Sequence, residues 1–133
     1  MIKAIQIALS GLNAASTRVN MAASNIANMT SGGAVKGGNG PAPYTAQTVQ
    51  QEANADGGTS ATAIPKNPPF VPSYAPDSPF ANSEGVIGAP NVDLAEEAVN
   101  LSLAETTYKA NIKTIQTASD MMDELLDAFD KRV

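Results

Sequence analysis

Few of the 133 residues are of a type that does chemistry on a substrate. The chain has no Cys and no His, so it lacks the usual ligands for zinc, haem iron and iron–sulfur clusters, along with thiolate nucleophiles and imidazole bases. Carboxylates remain. Asp93, Glu96 and Glu97 are spaced closely enough for paired acid–base work. The same residues, however, open a helical pattern: Asp93 is placed to cap it, Glu96 at the third helical position makes a box-like arrangement, and both glutamates complement the positive end of the helix dipole. Capping accounts for them without a pocket. The segment Gly32-Gly33-Ala34-Val35-Lys36-Gly37-Gly38-Asn39-Gly40 has the glycine density of a phosphate-cradling loop but lacks the Gly-Lys-Ser/Thr ending and a preceding strand. Asn28-Met29-Thr30 fits a glycosylation acceptor, a pattern frequent by chance, and Met121-Met122 fits gap-filling core better than a cofactor ligand. No catalytic residue, metal or cofactor is expected, and most enzyme classes fall away.

Charge and composition narrow the classes further. A net charge of −5 and a pI near 4.5 argue against a phosphate-binding surface, so nucleic acid is not an expected partner. Met1 to Leu9 has neither a continuous apolar run nor a small-residue cleavage site, so no cleaved signal peptide and no transmembrane helix are expected. Hydrophobic residues make up 43% of the chain, but much of that is Ala, and aromatics are only 5%. The apolar area available for one compact core is small, and partner chains are expected to supply the rest.

All nine prolines and nine of the ten glycines lie between Gly32 and Pro90. This divides the chain into helix-permissive ends, 1–31 and 91–133, and a helix-breaking middle, 32–90. At the N-terminal end, Ile5, Ala8, Leu12, Ala15, Val19, Ala22, Ile26 and Met29 alternate steps of three and four, the a/d rhythm of a coiled coil. That helix is expected to close near Thr30-Ser31-Gly32-Gly33 on a left-handed glycine. At the other end, Leu94, Ala98, Leu101, Glu105, Tyr108, Ile112, Ile115, Ser119, Met122, Leu126 and Phe129 keep the same rhythm, with Glu105 and Ser119 as departures. Glu105 with Lys109 and Asp127 with Lys131 are spaced as helical ion pairs, and Lys131 and Arg132 suit the negative end of the dipole. The middle reads as irregular or weakly β, with a short strand over Tyr44–Val49 and an extended, polyproline-like run from Pro65 to Pro72. The fold class is therefore mainly α: two long terminal helices pairing as a coiled coil around a Gly/Pro-rich connection. Asn25 and Asn28 read as turn and helix-terminus residues.

Three blocks of this pattern resemble the axial (rod/hook) proteins of the bacterial flagellum, and within them the C-type proximal-rod subunits. The first runs from Ser10-Gly11-Leu12-Asn13-Ala14-Ala15 to Ser24-Asn25-Ile26-Ala27-Asn28. The second is Pro79 with Ala81-Asn82-Ser83-Glu84-Gly85-Val86 and then Pro90-Asn91-Val92-Asp93; the third pairs Glu97-Ala98-Val99-Asn100 with Tyr108-Lys109-Ala110-Asn111. The chain departs from many relatives in running Gly85-Val86 without an intervening Tyr, and in having Thr106-Thr107 ahead of Tyr108. The resemblance implies a structural subunit of the basal-body rod, exported unfolded without a cleaved signal and assembled in the periplasm with copies of itself, other rod subunits, the basal-body ring and the export apparatus. The interface expected from the seams comprises Ile5, Leu12, Val19 and Ile26 on the first helix and Leu94, Leu101, Tyr108, Ile112, Ile115, Met122, Leu126 and Phe129 on the second. From spacing alone, an intramolecular helical hairpin is an equal account of the seams. The alternatives are a helical adaptor docking in a partner's groove, or another subunit of the rod family.

Overall fold

Residues with a single glycine among them and no proline fill the N-terminal end of the chain. In the computed structural model, which describes residues 1–130, they form helix α1, Ile2–Ala27. The helix ends earlier than expected and by other means. Asn28 follows it at φ −106°; its N–H and its Nδ2 both donate to the Ser24 carbonyl, at 3.1 and 2.9 Å. Neither Gly32 nor Gly33 has a positive φ. The asparagine side chain thus does the closing that a left-handed glycine was expected to do. Gly33 is needed for space instead, because a Cβ there would lie 2.5 Å from the Pro43 nitrogen.

The middle is more ordered than its composition suggests. Strands β1 (Gln47–Ala53) and β2 (Thr59–Pro65) form one antiparallel ribbon, and β3 (Phe70–Tyr74) and β4 (Val86–Pro90) form another. The expectation of a mostly irregular segment is corrected on this point. Proline excludes a residue from a central strand, but both strands of a two-stranded ribbon are edges. Pro65 accordingly ends β2, Pro90 ends β4, and Pro72 sits inside β3 opposite Gly88. The ribbons are tied by the Ala46 N–H to the Pro69 carbonyl (3.2 Å) and the Lys66 N–H to the Ala46 carbonyl (2.8 Å).

Helix α2 spans Leu94–Asp130, 37 residues and roughly 55 Å at about 1.5 Å per residue. Asp93 caps it as expected: its Oδ1 accepts from the N–H groups of Ala95 (2.8 Å) and Glu96 (3.3 Å). The Glu96 side chain does not complete the box; its Oε2 takes the Lys66 ammonium at 2.8 Å. The Glu105–Lys109 pair forms on the surface. Lys131, Arg132 and the pairing of Asp127 with Lys131 lie outside the described residues.

The helices run antiparallel, with Asn25 at Glu97, Gly11 at Asn111, and Met1 and Ala4 beside Ala118 and Met121. In the described parts of the two helices, the buried apolar side chains are all alanines: Ala8, Ala14, Ala15, Ala22, Ala104 and Ala118; Ala46, Pro43 and Pro90 are buried in the middle segment. On α2 the inner positions are Glu97, Ala104 and Ala118, with half-buried Asn111 completing a seven-residue spacing. The expected seam had Ala98, Glu105, Ile112 and Ser119 at these places, one residue further along. Its two departures, Glu105 and Ser119, thereby disappear, since the residues that turn inward there are alanines. Small side chains let the backbones approach, and the larger residues sit at the flanks.

Gly11 marks a close approach of the two helices. An added Cβ would stand 2.6 Å from Asn111 Nδ2, which donates to the Thr107 carbonyl at 2.9 Å. Within a helix, Gly→Ala ordinarily stabilises by about 1 kcal/mol. Gly11→Ala is expected to show no such gain in the native chain and to recover it when Asn111→Ala is also present. Denaturant unfolding of the four chains checks this, and equal gains in both backgrounds would refute the close approach.

Candidate assembly interface

One buried side chain organises the end of the molecule where the two helices meet the ribbons. Asn25, 1% exposed, donates from Nδ2 to the Gln47 carbonyl and to Glu97 Oε1, both at 2.7 Å. Its Oδ1 accepts from the Gln47 N–H and the Tyr44 hydroxyl, both at 3.1 Å. All four hydrogen-bonding positions of the amide are thus used. Tyr44 also lies 3.0 Å from Ser24 Oγ. Glu97 is itself 2% exposed, and Lys66 Nζ stands 3.7 Å from its Oε1. A carboxylate in that position is tolerable because it has both an amide donor and a neighbouring cation. α1, α2, β1 and the residue after β2 are fastened at one point.

This fastening decides which faces of the helices remain open. The β1–β2 ribbon lies along one flank of α1, where Thr59 N–H donates to Ser10 Oγ at 3.0 Å and Arg18 bonds the Gln51 side chain. The opposite flank is bare. There Val19, Ser16 and Asn20 of α1 and Ala98, Leu101, Ser102, Glu105 and Tyr108 of α2 line an apolar groove of about 670 Å³. Lys109 holds the Glu105 carboxyl at its rim below the usual carboxylate range, first by a hydrogen bond and then by its charge. Because that pKa is depressed, the pair's contribution is present above the unfolded carboxylate value and fades as pH falls through the folded one.

The twelve interface residues expected from sequence fall into two groups. Ile5, Leu12, Val19, Ile26, Leu101, Ile112, Ile115 and Met122 are half-buried; Leu94, Tyr108, Leu126 and Phe129 are exposed. The groove brings Val19, Leu101 and Tyr108 together. Leu126 and Phe129 are apart from it, on a part of α2 that extends beyond α1. The apolar rhythm is wider than the pairing of two helices uses, and its surplus faces outward.

Two segments match family descriptions: residues 5–32 match "Flagella basal body rod protein", and residues 83–128 match "Flagellar basal body rod FlgEFG protein C-terminal". Among curated proteins, the flagellar basal-body rod protein FlgC of Escherichia coli O157:H7 is 37% identical over 128 residues, covering 92% of each chain. The FlgC of Salmonella typhimurium strain LT2 shows the same identity and coverage, and that of Aquifex aeolicus is 26% identical over 133 residues, covering 97% of each. The chain belongs to the flagellar basal-body rod protein family. As a member it is a structural subunit of the rod and not an enzyme.

The residues that carried the resemblance to rod proteins have separable structural tasks. In Ser24-Asn25-Ile26-Ala27-Asn28, Asn25 is the hub and Ser24 its neighbour through Tyr44, while Asn28 closes α1 and Ala27 is exposed. Asn25 is therefore not the turn or terminus residue that its type suggested. In Pro90-Asn91-Val92, Pro90 is buried, Asn91 Nδ2 donates to the Pro68 carbonyl at 2.8 Å, and the Val92 N–H bonds the Pro90 carbonyl. Tyr108 lines the groove, Ala110 is exposed, and Asn111 meets Gly11. Sequence reasoning gave no hub role to Tyr44, Gln47 or Lys66, and placed Glu97 at the helix start, complementing its dipole, without a buried partner. Glu97 is 72 positions from Asn25, and no local pattern announces such a partner.

Asn25→Asp tests the hub with almost no change of shape. It replaces two donors by an acceptor facing Glu97 and the Gln47 carbonyl, and is expected to destabilise by on the order of 3 kcal/mol at neutral pH. The deficit should shrink as pH is lowered, since the crowded carboxyl is favoured in its protonated form and can then donate. A variant as stable as the native chain at pH 7 by thermal unfolding would refute this role.

Proposed function

We propose that this rod subunit occupies the proximal rod and polymerises through its terminal helices into the tube that transmits torque, with the groove between α1 and α2 receiving a helix of a neighbouring subunit. The observation that carries this reading is that every large apolar side chain of the described helices stays at least partly exposed, and the apolar side chains buried there are all alanines. Part of that surplus, Val19, Leu101 and Tyr108, stands on the flank that the β1–β2 ribbon leaves uncovered. A rod needs many lateral and axial contacts in place of one strong site, and heterologous contacts that do not close generate an open helical array. The neighbours on this reading are further copies of the chain and other rod subunits, with the basal-body ring and export apparatus at the rod's base and the periplasm as its location. The same composition suits export of an unfolded chain, because an alanine core stores little burial energy and the ordering cost can be met on docking.

The test is Leu101→Asp. Leu101 is half-buried in the groove wall, so the charge would lie where a neighbouring helix seats, without entering the alanine seam. The variant is expected to be exported at normal levels and to be absent from purified basal bodies, with loss of motility. Normal rods containing the variant would overturn the proposed use of this groove.

A further inference from the structure

Val99 belongs to one of the blocks that resemble rod proteins, yet the subunit itself makes little use of it. It is 67% exposed, and a β-branched side chain on a solvated helix face lowers helix propensity while removing little apolar area from water. The next positions on its side of α2 are Leu103, 50% exposed, and then Thr106 and Ala110, both exposed. Steps of four, three and four keep these residues in one row. The row has no charged side chain. The Thr106 hydroxyl already donates to the Ser102 carbonyl at 2.9 Å, so covering the row would strand no donor there.

This ridge is not the flank that lines the Leu101 groove. Val99 and Leu103 are each two residues from Leu101, which at about 100° per residue sets them about 160° away around the helix axis. Ridge and groove nevertheless match. Along α2 the groove extends from Ala98 to Tyr108, about 15 Å, and the ridge from Val99 to Ala110, about 16 Å. The α1 wall of the groove is Ser16, Val19 and Asn20, without charge, and the carboxylate of Glu105 is neutralised at the rim by Lys109. An uncharged ridge of Val, Leu, Thr and Ala suits such a groove, because charged residues are depleted at the buried centre of an interface.

We infer that the helix received by the Leu101 groove is α2 of a second copy, seated through its Val99–Leu103–Thr106–Ala110 ridge. The inference rests on the groove reading above and names its occupant. Ridge and groove lie on different sides of one helix, so each copy can fill its neighbour's groove while its own is filled by the next. The contact is heterologous and does not close on two chains, which is the property an open array requires. In a helical array every copy points the same way along the axis, so successive α2 helices run parallel where they touch. The pairing operates between docked subunits and asks for no folded helix in the free chain.

Because the chain has no Cys, the pairing can be read in assembled rods by cysteine crosslinking. Thr106→Cys and Ala110→Cys mark the ridge, and Ser16→Cys and Asn20→Cys mark the α1 wall of the groove, all at exposed positions. In motile cells under mild oxidation, chains pairing a ridge cysteine with a groove cysteine are expected to give a ladder of multimers for at least one pair. Each single-cysteine chain should stay uncrosslinked, since a heterologous contact does not bring a position to its own copy. Val99→Asp, on the solvated face, is expected to be exported normally and to enter basal bodies at least tenfold less than the native chain. Motile cells in which no pair crosslinks, as when another rod subunit fills the groove, would overturn the inference. So would a single-cysteine chain that crosslinks to itself, or normal incorporation of Val99→Asp. If Leu101→Asp is excluded from rods while Val99→Asp enters them, the groove is used and the occupant is wrong; if Leu101→Asp enters rods, the groove reading itself fails.

Discussion

Close packing of two long antiparallel helices on alanine and glycine, fastened at one end by the Asn25–Glu97 hydrogen bond, is the constraint on which the other features depend. Small inner residues allow the backbones to approach, as at Gly11 and Asn111, but they remove little apolar area from water. The hub supplies what the alanines cannot, namely a single register. A slip of one residue along either helix would separate Asn25 from Glu97 and leave a buried donor and a buried carboxylate oxygen without the bond they share, which costs more than the mean worth of a hydrogen bond.

The hub also joins the helical and β parts of the molecule. By holding both the N–H and the carbonyl of Gln47, Asn25 sets where β1 begins, and β1 with β2 then runs along one flank of α1 to Ser10. The Tyr44 hydroxyl and the Lys66 ammonium close the remaining sides. Because the ribbon covers one flank only, the molecule has a roofed side and a bare side. The bare side keeps Val19, Leu101 and Tyr108 at the surface, where a neighbouring helix can use them. Weak self-burial and strong lateral contact are two aspects of the same composition, and a polymer subunit needs both.

Much of this was legible in the residues. The Gly/Pro boundary located both helices, Asp93 was placed correctly as the cap of α2, and the three-and-four rhythm found the apolar faces. The rhythm misassigned the inner seam of α2 by one residue because it follows the large side chains, whereas the close approach selects small ones: Ala104 and Ala118 turn inward, and Glu105 and Ser119 do not. The β-ribbons were read only as a weakly β middle with one short strand over Tyr44–Val49, which overlaps β1, for a related reason. Proline density argues against central strands, and the prolines of these strands stand on an edge strand, Pro72 in β3, or at strand ends, Pro65 and Pro90.

By itself the sequence determined the absence of Cys and His chemistry, the positions of the helices, and an apolar stripe too wide for two helices to hide, because these follow from residue type and local spacing. The tertiary structure alone decided which edge of that stripe faces inward, that Asn25 reaches Glu97 across 72 positions, and which flank the ribbon leaves open. Those outcomes depend on which distant backbones can come close enough to share buried hydrogen bonds. That distance is set by the assembled packing and is written in no local pattern.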